Sequence, residues 1–132
     1  MGQEKFINPE GIAKPTSYTH VVIAGSTIYI AGQVSANAKG EVVGKGDLRA
    51  QAAQVYENLK ICLQSAGATF EDIVKMNTYV VNFKAEDLTM IREVRKNYLS
   101  ALNPPASTLV GVQALANPDY LIEVEAVVVR KK

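Results

Sequence analysis

The sequence is short of the residues on which several kinds of chemistry depend. It has one cysteine, Cys62, and one histidine, His20. A lone thiol forbids a disulfide within the chain and makes a reducing cytoplasm the natural setting. The same scarcity excludes the usual Cys/His zinc site within one chain, and nothing calls for a metal or other cofactor. Charge of one sign is also lacking. A net charge of +1 leaves no electrostatic footprint for nucleic acid or an anionic membrane. No apolar run approaches the length of a membrane span, and the N-terminus lacks the apolar core of a signal peptide. No Walker A loop, GxGxxG or HExxH occurs.

What remains is an ordinary soluble composition in 132 residues, enough for one domain over residues 1–132. The most informative stretch is Leu121 to Val129 near the C-terminus. In a strand, Ile122, Val124, Ala126 and Val128 share one wholly apolar face. Glu123 and Glu125 share the other with Leu121, Val127 and Val129. Carboxylates on so apolar a strand must be paired, hydrogen-bonded or pushed toward the neutral form, since burying a lone charge is costly.

The rest of the chain reads as alternating elements. Residues 1–17 form an irregular arm. Tyr18–Ala24 and Thr27–Gln33 are β-branched runs split by Gly25-Ser26, a hairpin signal. Ser35–Gly46 is a loop with room for a minor strand at Glu41–Val43. Asp47 suits the N-cap of a first helix, whose stripe is Leu48, Ala52, Val55, Leu59, Cys62 and Ala66, with Gly67 as its stop. Asp72–Asn82 is a strand. A second helix spans Ala85–Leu102 before Asn103-Pro104-Pro105 ends it. Ser107–Val112 and Leu121–Arg130 are strands flanking a turn at Asn117-Pro118-Asp119. The order β-β-α-β-α-β-β predicts an α+β domain with two helices on one face of a mixed sheet. The uncovered face, half apolar and half charged, predicts a homo-oligomer with sites in clefts between subunits.

Several segments, in order and spacing, carry a resemblance to a known family. They are Ser17-Tyr18, Ile28-Tyr29-Ile30-Ala31-Gly32-Gln33, Ala66-Gly67, Asp72-Ile73-Val74-Lys75, Asn103-Pro104-Pro105-Ala106-Ser107 and Ile122-Glu123-Val124-Glu125-Ala126. Over nearly its whole length the chain resembles the Rid family (reactive intermediate deaminase, YjgF-like). The resemblance implies a chorismate-mutase-like fold of the bacillus type. It also implies a homotrimer whose sheets form a central barrel, with three intersubunit clefts. The implied activity is hydrolysis of enamines or imines, such as 2-aminoacrylate, to 2-keto acids and ammonia. By position, the family's catalytic Glu falls on Glu123, its Tyr on Tyr18 and its strand glycine on Gly32. The family's carboxylate-binding arginine falls on Ser107, so the chain looks like an arginine-lacking subgroup. A serine donates one hydrogen bond where a guanidinium grips two oxygens.

The candidate catalytic residues are therefore Glu123 and Tyr18. The candidate substrate-binding residues are Gly32, Ser107, Thr108 and, as a substitute cation, Arg92. Each has a plainer alternative: an ion pair with Lys75 for Glu123, a sheet-edge tyrosine for Tyr18, and a strand kink for Gly32. Ordinary strand residues would account for Ser107 and Thr108, and a solvated helix face for Arg92. His20 reads as a packed or hydrogen-bonded histidine, Cys62 as core. Two functions follow: an imine or enamine deaminase, or a non-catalytic trimer binding a small keto-acid-like metabolite in the same clefts. A third, RNA cleavage or translation inhibition, is disfavoured by the balanced charge.

Overall fold

The computed structural model describes residues 3–131. Its strands are β1 (Lys5–Ile7), β2 (Val21–Ala24), β3 (Thr27–Val34), β4 (Ile73–Val81), β5 (Ala106–Val112) and β6 (Ile122–Val129). Its helices are α1 (Leu48–Ser65) and α2 (Ala85–Arg95). The strands form one sheet in the order β1-β2-β3-β6-β4-β5, mixed because β4 and β5 run parallel and the other pairs antiparallel. This is the α+β arrangement expected.

The alternation of β6 holds: Ile122, Val124, Ala126 and Val128 are buried, and Glu123, Glu125 and Val127 between them are half-buried. The buried face joins Val55, Tyr56, Leu59, Cys62 and Leu63 of α1 and Ile91 and Val94 of α2 in one core. Asp47 caps α1 by accepting from the Ala50 N–H at 3.1 Å. At the other end Gly67, at φ +71°, lets Ala68 N–H reach back to the Leu63 carbonyl at 2.9 Å. That reversal satisfies the last carbonyls and needs the left-handed conformation glycine takes freely. No helix among the described residues is long and apolar enough to cross a membrane.

Three local expectations differ from the structure. The N-terminal arm contains β1, which pairs Phe6 with Val22 at the sheet edge; three residues are too few for a period to show. The first hairpin strand starts at Val21 instead of Tyr18, because His20 N–H donates to the Asn8 side chain at 2.9 Å. The second helix ends at Arg95, not Leu102. There the backbone tightens, with Tyr98 N–H bonding the Arg95 carbonyl. Tyr98 then stacks on Tyr56 of α1, ring centroids 5.2 Å apart, and donates to Glu57 at 2.6 Å. Packing against α1 outweighs continuing the helix.

Candidate functional site

Glu123 sits on a central strand between β3 and β4. Across β3 the register slips: Ile30 opposes Ala126, whereas Gln33 opposes Val124. The extra residue makes a bulge at Ala31-Gly32, the kind of irregularity that re-aims a side chain. The Glu123 carboxylate lies over Gly32, where a β-carbon would overlap it. Gly32 is thus a close-approach glycine, not merely a kink.

The carboxylate opens into a cleft of about 440 Å³ that Tyr18, Gly32, Val34 and Tyr120 also line. No side chain among the described residues donates to it. Burial raises the Glu123 pKa above the ordinary glutamate range, and the neighbouring Glu125 charge adds to the rise. Glu125 differs: it accepts from Asn77 Nδ2 at 2.8 Å and from the Tyr79 hydroxyl at 3.1 Å. Two carboxylates one pleat apart therefore have different environments, one hydrogen-bonded to two neutral donors and one without a side-chain donor among the described residues.

The ion pair considered between Glu123 and Lys75 does not form. Lys75 opposes Val127 in the register, Tyr79 opposes Glu123, and the Lys75 ammonium donates to Thr108 Oγ1 at 2.7 Å.

Tyr18 is half exposed. Its hydroxyl pKa is raised, chiefly by burial and then by Tyr120 and Glu123. Its ring meets His20 edge-on at 5.4 Å. His20 is buried, with Nε2 at 2.7 Å from the Ala13 carbonyl, which can only accept. Its Nδ1 accepts from Gln33 Nε2 at 3.0 Å. That singly protonated tautomer spends both ring nitrogens on structure, as expected. Gln33 also donates to the Ala31 carbonyl at 3.1 Å and so braces the bulge.

Tyr120 was not among the sequence candidates. It follows the Asn117-Pro118-Asp119 turn, which buried Gln51 of α1 holds. Gln51 donates to the Asp119 carbonyl at 2.9 Å and accepts from Leu121 N–H at 2.9 Å. A glutamine on an apolar helix stripe was the available signal.

Ser107, Thr108 and Arg92 lie elsewhere. Ser107 opposes Met76 and Thr108 opposes Asn77, so they face opposite sides of the sheet. Met76 in turn opposes Ala126, and Tyr79 opposes Glu123. Ser107 is therefore on the helix side and Glu123 on the uncovered side. Ser107 shares a second cleft, of about 580 Å³, with Arg92 and Arg95 of α2. Within one subunit, Tyr18, Gly32 and Glu123 come together, Ser107 and Arg92 come together, and Thr108 joins neither group.

The family model described as Endoribonuclease L-PSP matches residues 10–130. The chain belongs to the Rid family. A RutC family protein of Pyrococcus horikoshii is 36% identical over 94% of this chain and 96% of its own length. A 2-iminobutanoate/2-iminopropanoate deaminase of Dermatophagoides farinae is 33% identical over 85% of this chain and 84% of its own. Among solved structures, the Rid family protein YyfB of Yersinia pestis is 44% identical with a TM-score of 0.75, covering 96% of this chain and 98% of that one. In this Rid chain Tyr18, Gly32 and Glu123 line one cleft, Pro104, Pro105 and Ser107 line the other, and the Glu123 side chain lies directly against Gly32.

Proposed function

We propose that this protein hydrolyses an imine or enamine to a carbonyl compound and ammonia, with Glu123 as the acid–base group. The observation that carries the reading is the unpaired, half-buried carboxylate over Gly32 in a cleft with Tyr18 and Tyr120. Burial suits a carboxyl group to both halves of such a reaction. Glu123 takes a proton from water as the oxygen attacks the imine carbon and returns it to the imine nitrogen, giving a neutral carbinolamine. It then moves the carbinolamine hydroxyl proton to the same nitrogen, so that the C–N bond breaks and ammonia leaves as the C=O bond forms. Relatives named as imine deaminases support this reaction class.

The working site on this reading lies between copies of the chain, in a homotrimer. Ser107 and Glu123 face opposite sides of one sheet, so a cleft using both needs Ser107 from one subunit and Glu123 from another. The uncovered sheet face exposes Tyr29, Val110 and Val129, apolar surface suited to burial against further copies. A reducing cytoplasm suits the single buried thiol, Cys62.

A non-catalytic metabolite-binding trimer is the second reading, favoured by one observation: Ser107 offers a single hydroxyl where the family's arginine would stand. RNA cleavage has less support, since a net charge of +1 offers little phosphate neutralisation. The test is hydrolysis of freshly generated 2-imino acids and carboxylate-free imines by wild type, Glu123→Gln and Ser107→Arg. Turnover by wild type that vanishes in Glu123→Gln supports the enzyme. No turnover by wild type, with activity gained in Ser107→Arg, supports the binding protein.

A further inference from the structure

The bulge beside Glu123 contains a hydrogen-bond relay that the hydrolytic step leaves unexplained. Ala31 is held at both of its backbone polar groups by one pair of buried side-chain neighbours, His20 and Gln33. Its N–H donates to the His20 carbonyl at 2.9 Å, and its carbonyl accepts from Gln33 Nε2 at 3.1 Å. The same nitrogen spends its other hydrogen on His20 Nδ1 at 3.0 Å. Each orientation is dictated by the next. The Ala13 carbonyl, 2.7 Å from His20 Nε2, can only accept, so Nε2 carries the ring proton and Nδ1 accepts. The Ala31 carbonyl also only accepts. An amide nitrogen has two hydrogens and an amide oxygen none, so the nitrogen of Gln33 must face both partners.

Filling the space would call for no amide. What the amide adds is a fixed peptide plane, because the Ala31 carbonyl belongs to the planar Ala31–Gly32 peptide. The Glu123 carboxylate lies against Gly32, in the space a β-carbon would take. Turning that peptide would shift the surface on which the carboxylate rests. We propose that Gln33 is a positioning residue for Glu123, and that His20 holds Gln33 in the orientation this requires. The bearing on turnover rests on the imine-hydrolysis reading above; the effect on the carboxylate does not. Around Glu123 the titratable groups are Tyr18 and Tyr120 in the cleft and Tyr79 and Glu125 on the sheet, none of which belongs to the relay.

The experiment compares wild type with Gln33→Met, His20→Leu, His20→Asn and Val128→Ala in the assembled protein. Gln33→Met keeps the bulk and removes the donors. His20→Leu keeps Gln33 and removes its acceptor, so the outcome does not hang on one variant folding. The side-chain oxygen of His20→Asn still accepts from Gln33. Val128→Ala loosens the core opposite Ile28, outside the bulge, and serves as the stability control. Two quantities are measured: the titration of the Glu123 carboxyl carbon by NMR, assigned with Glu123→Gln, and kcat and KM for 2-iminobutanoate. Gln33→Met and His20→Leu should move the Glu123 titration down toward the ordinary glutamate range and lower kcat about a hundredfold with KM little changed. His20→Asn and Val128→Ala should stay close to wild type in both. An unmoved Glu123 titration in Gln33→Met and His20→Leu would overturn the proposal. So would a kcat loss no larger than that of Val128→Ala, or His20→Asn as impaired as His20→Leu. A titration that moves as expected in a protein whose wild type has no turnover would leave the relay standing and remove the hydrolase reading instead.

Discussion

The Glu123 carboxylate occupies the space that a side chain on residue 32 would fill. The contact is made across a β-bulge, so neither strand alone accounts for it. It ties the proposed acid–base group to a backbone position where any β-carbon would push that group aside.

Gly32→Ala should therefore displace the carboxylate while leaving the sheet paired. The misplacement should lower kcat/KM by about a hundredfold, and the overpacking should cost about 1–3 kcal/mol. Steady-state kinetics with urea unfolding measures both. Unchanged kinetics would mean that the position of Glu123 does not matter to turnover.

Glu123 should work against the stability of its own fold. Its pKa is raised in the folded state, so folding favours the neutral acid. That contribution is fully present below the unfolded pKa and is lost as pH rises through the folded value. At neutral pH the ionised carboxylate is thus a burden that a neutral amide of the same shape relieves. Glu123→Gln should abolish turnover yet raise stability at pH 7, with the gain shrinking toward pH 4. Urea unfolding at both pH values and one protein concentration is the measurement. A loss of stability at pH 7 would show that the carboxylate has a stabilising partner in the assembly.

Tyr56 should be improvable. Its hydroxyl is fully buried with no hydrogen-bond partner among the described residues, and burial pushes its pKa up to about 12. The ring itself packs well, between Phe70 and Tyr98. Tyr56→Phe keeps the stack and removes the orphan, so it should stabilise the protein by about 1–2 kcal/mol. A fall in the thermal midpoint would reveal a partner for the hydroxyl that the subunit alone does not contain.

Much of the fold was legible because its elements are written in local periods. The two-residue alternation of Ile122 to Val128 determined which face of β6 is buried, and the three-and-four spacing after Asp47 determined α1 and its core stripe. Asp47 and Gly67 marked that helix's ends because a cap needs only neighbouring backbone. The family resemblance put Glu123, Tyr18, Gly32 and Ser107 in one pocket; within the subunit the first three line one cleft and Ser107 lines another. Only the tertiary structure decided how they meet. Register between β3, β6 and β4, distant in the chain, depends on bulges and packing that no local period encodes. That register seats Glu123 over Gly32, gives Glu125 the neutral donors Asn77 and Tyr79, and leaves Lys75 to Thr108. It also turns Ser107 to the opposite side of the sheet from Glu123, while the early end of α2 follows from the docking of Tyr98 on α1.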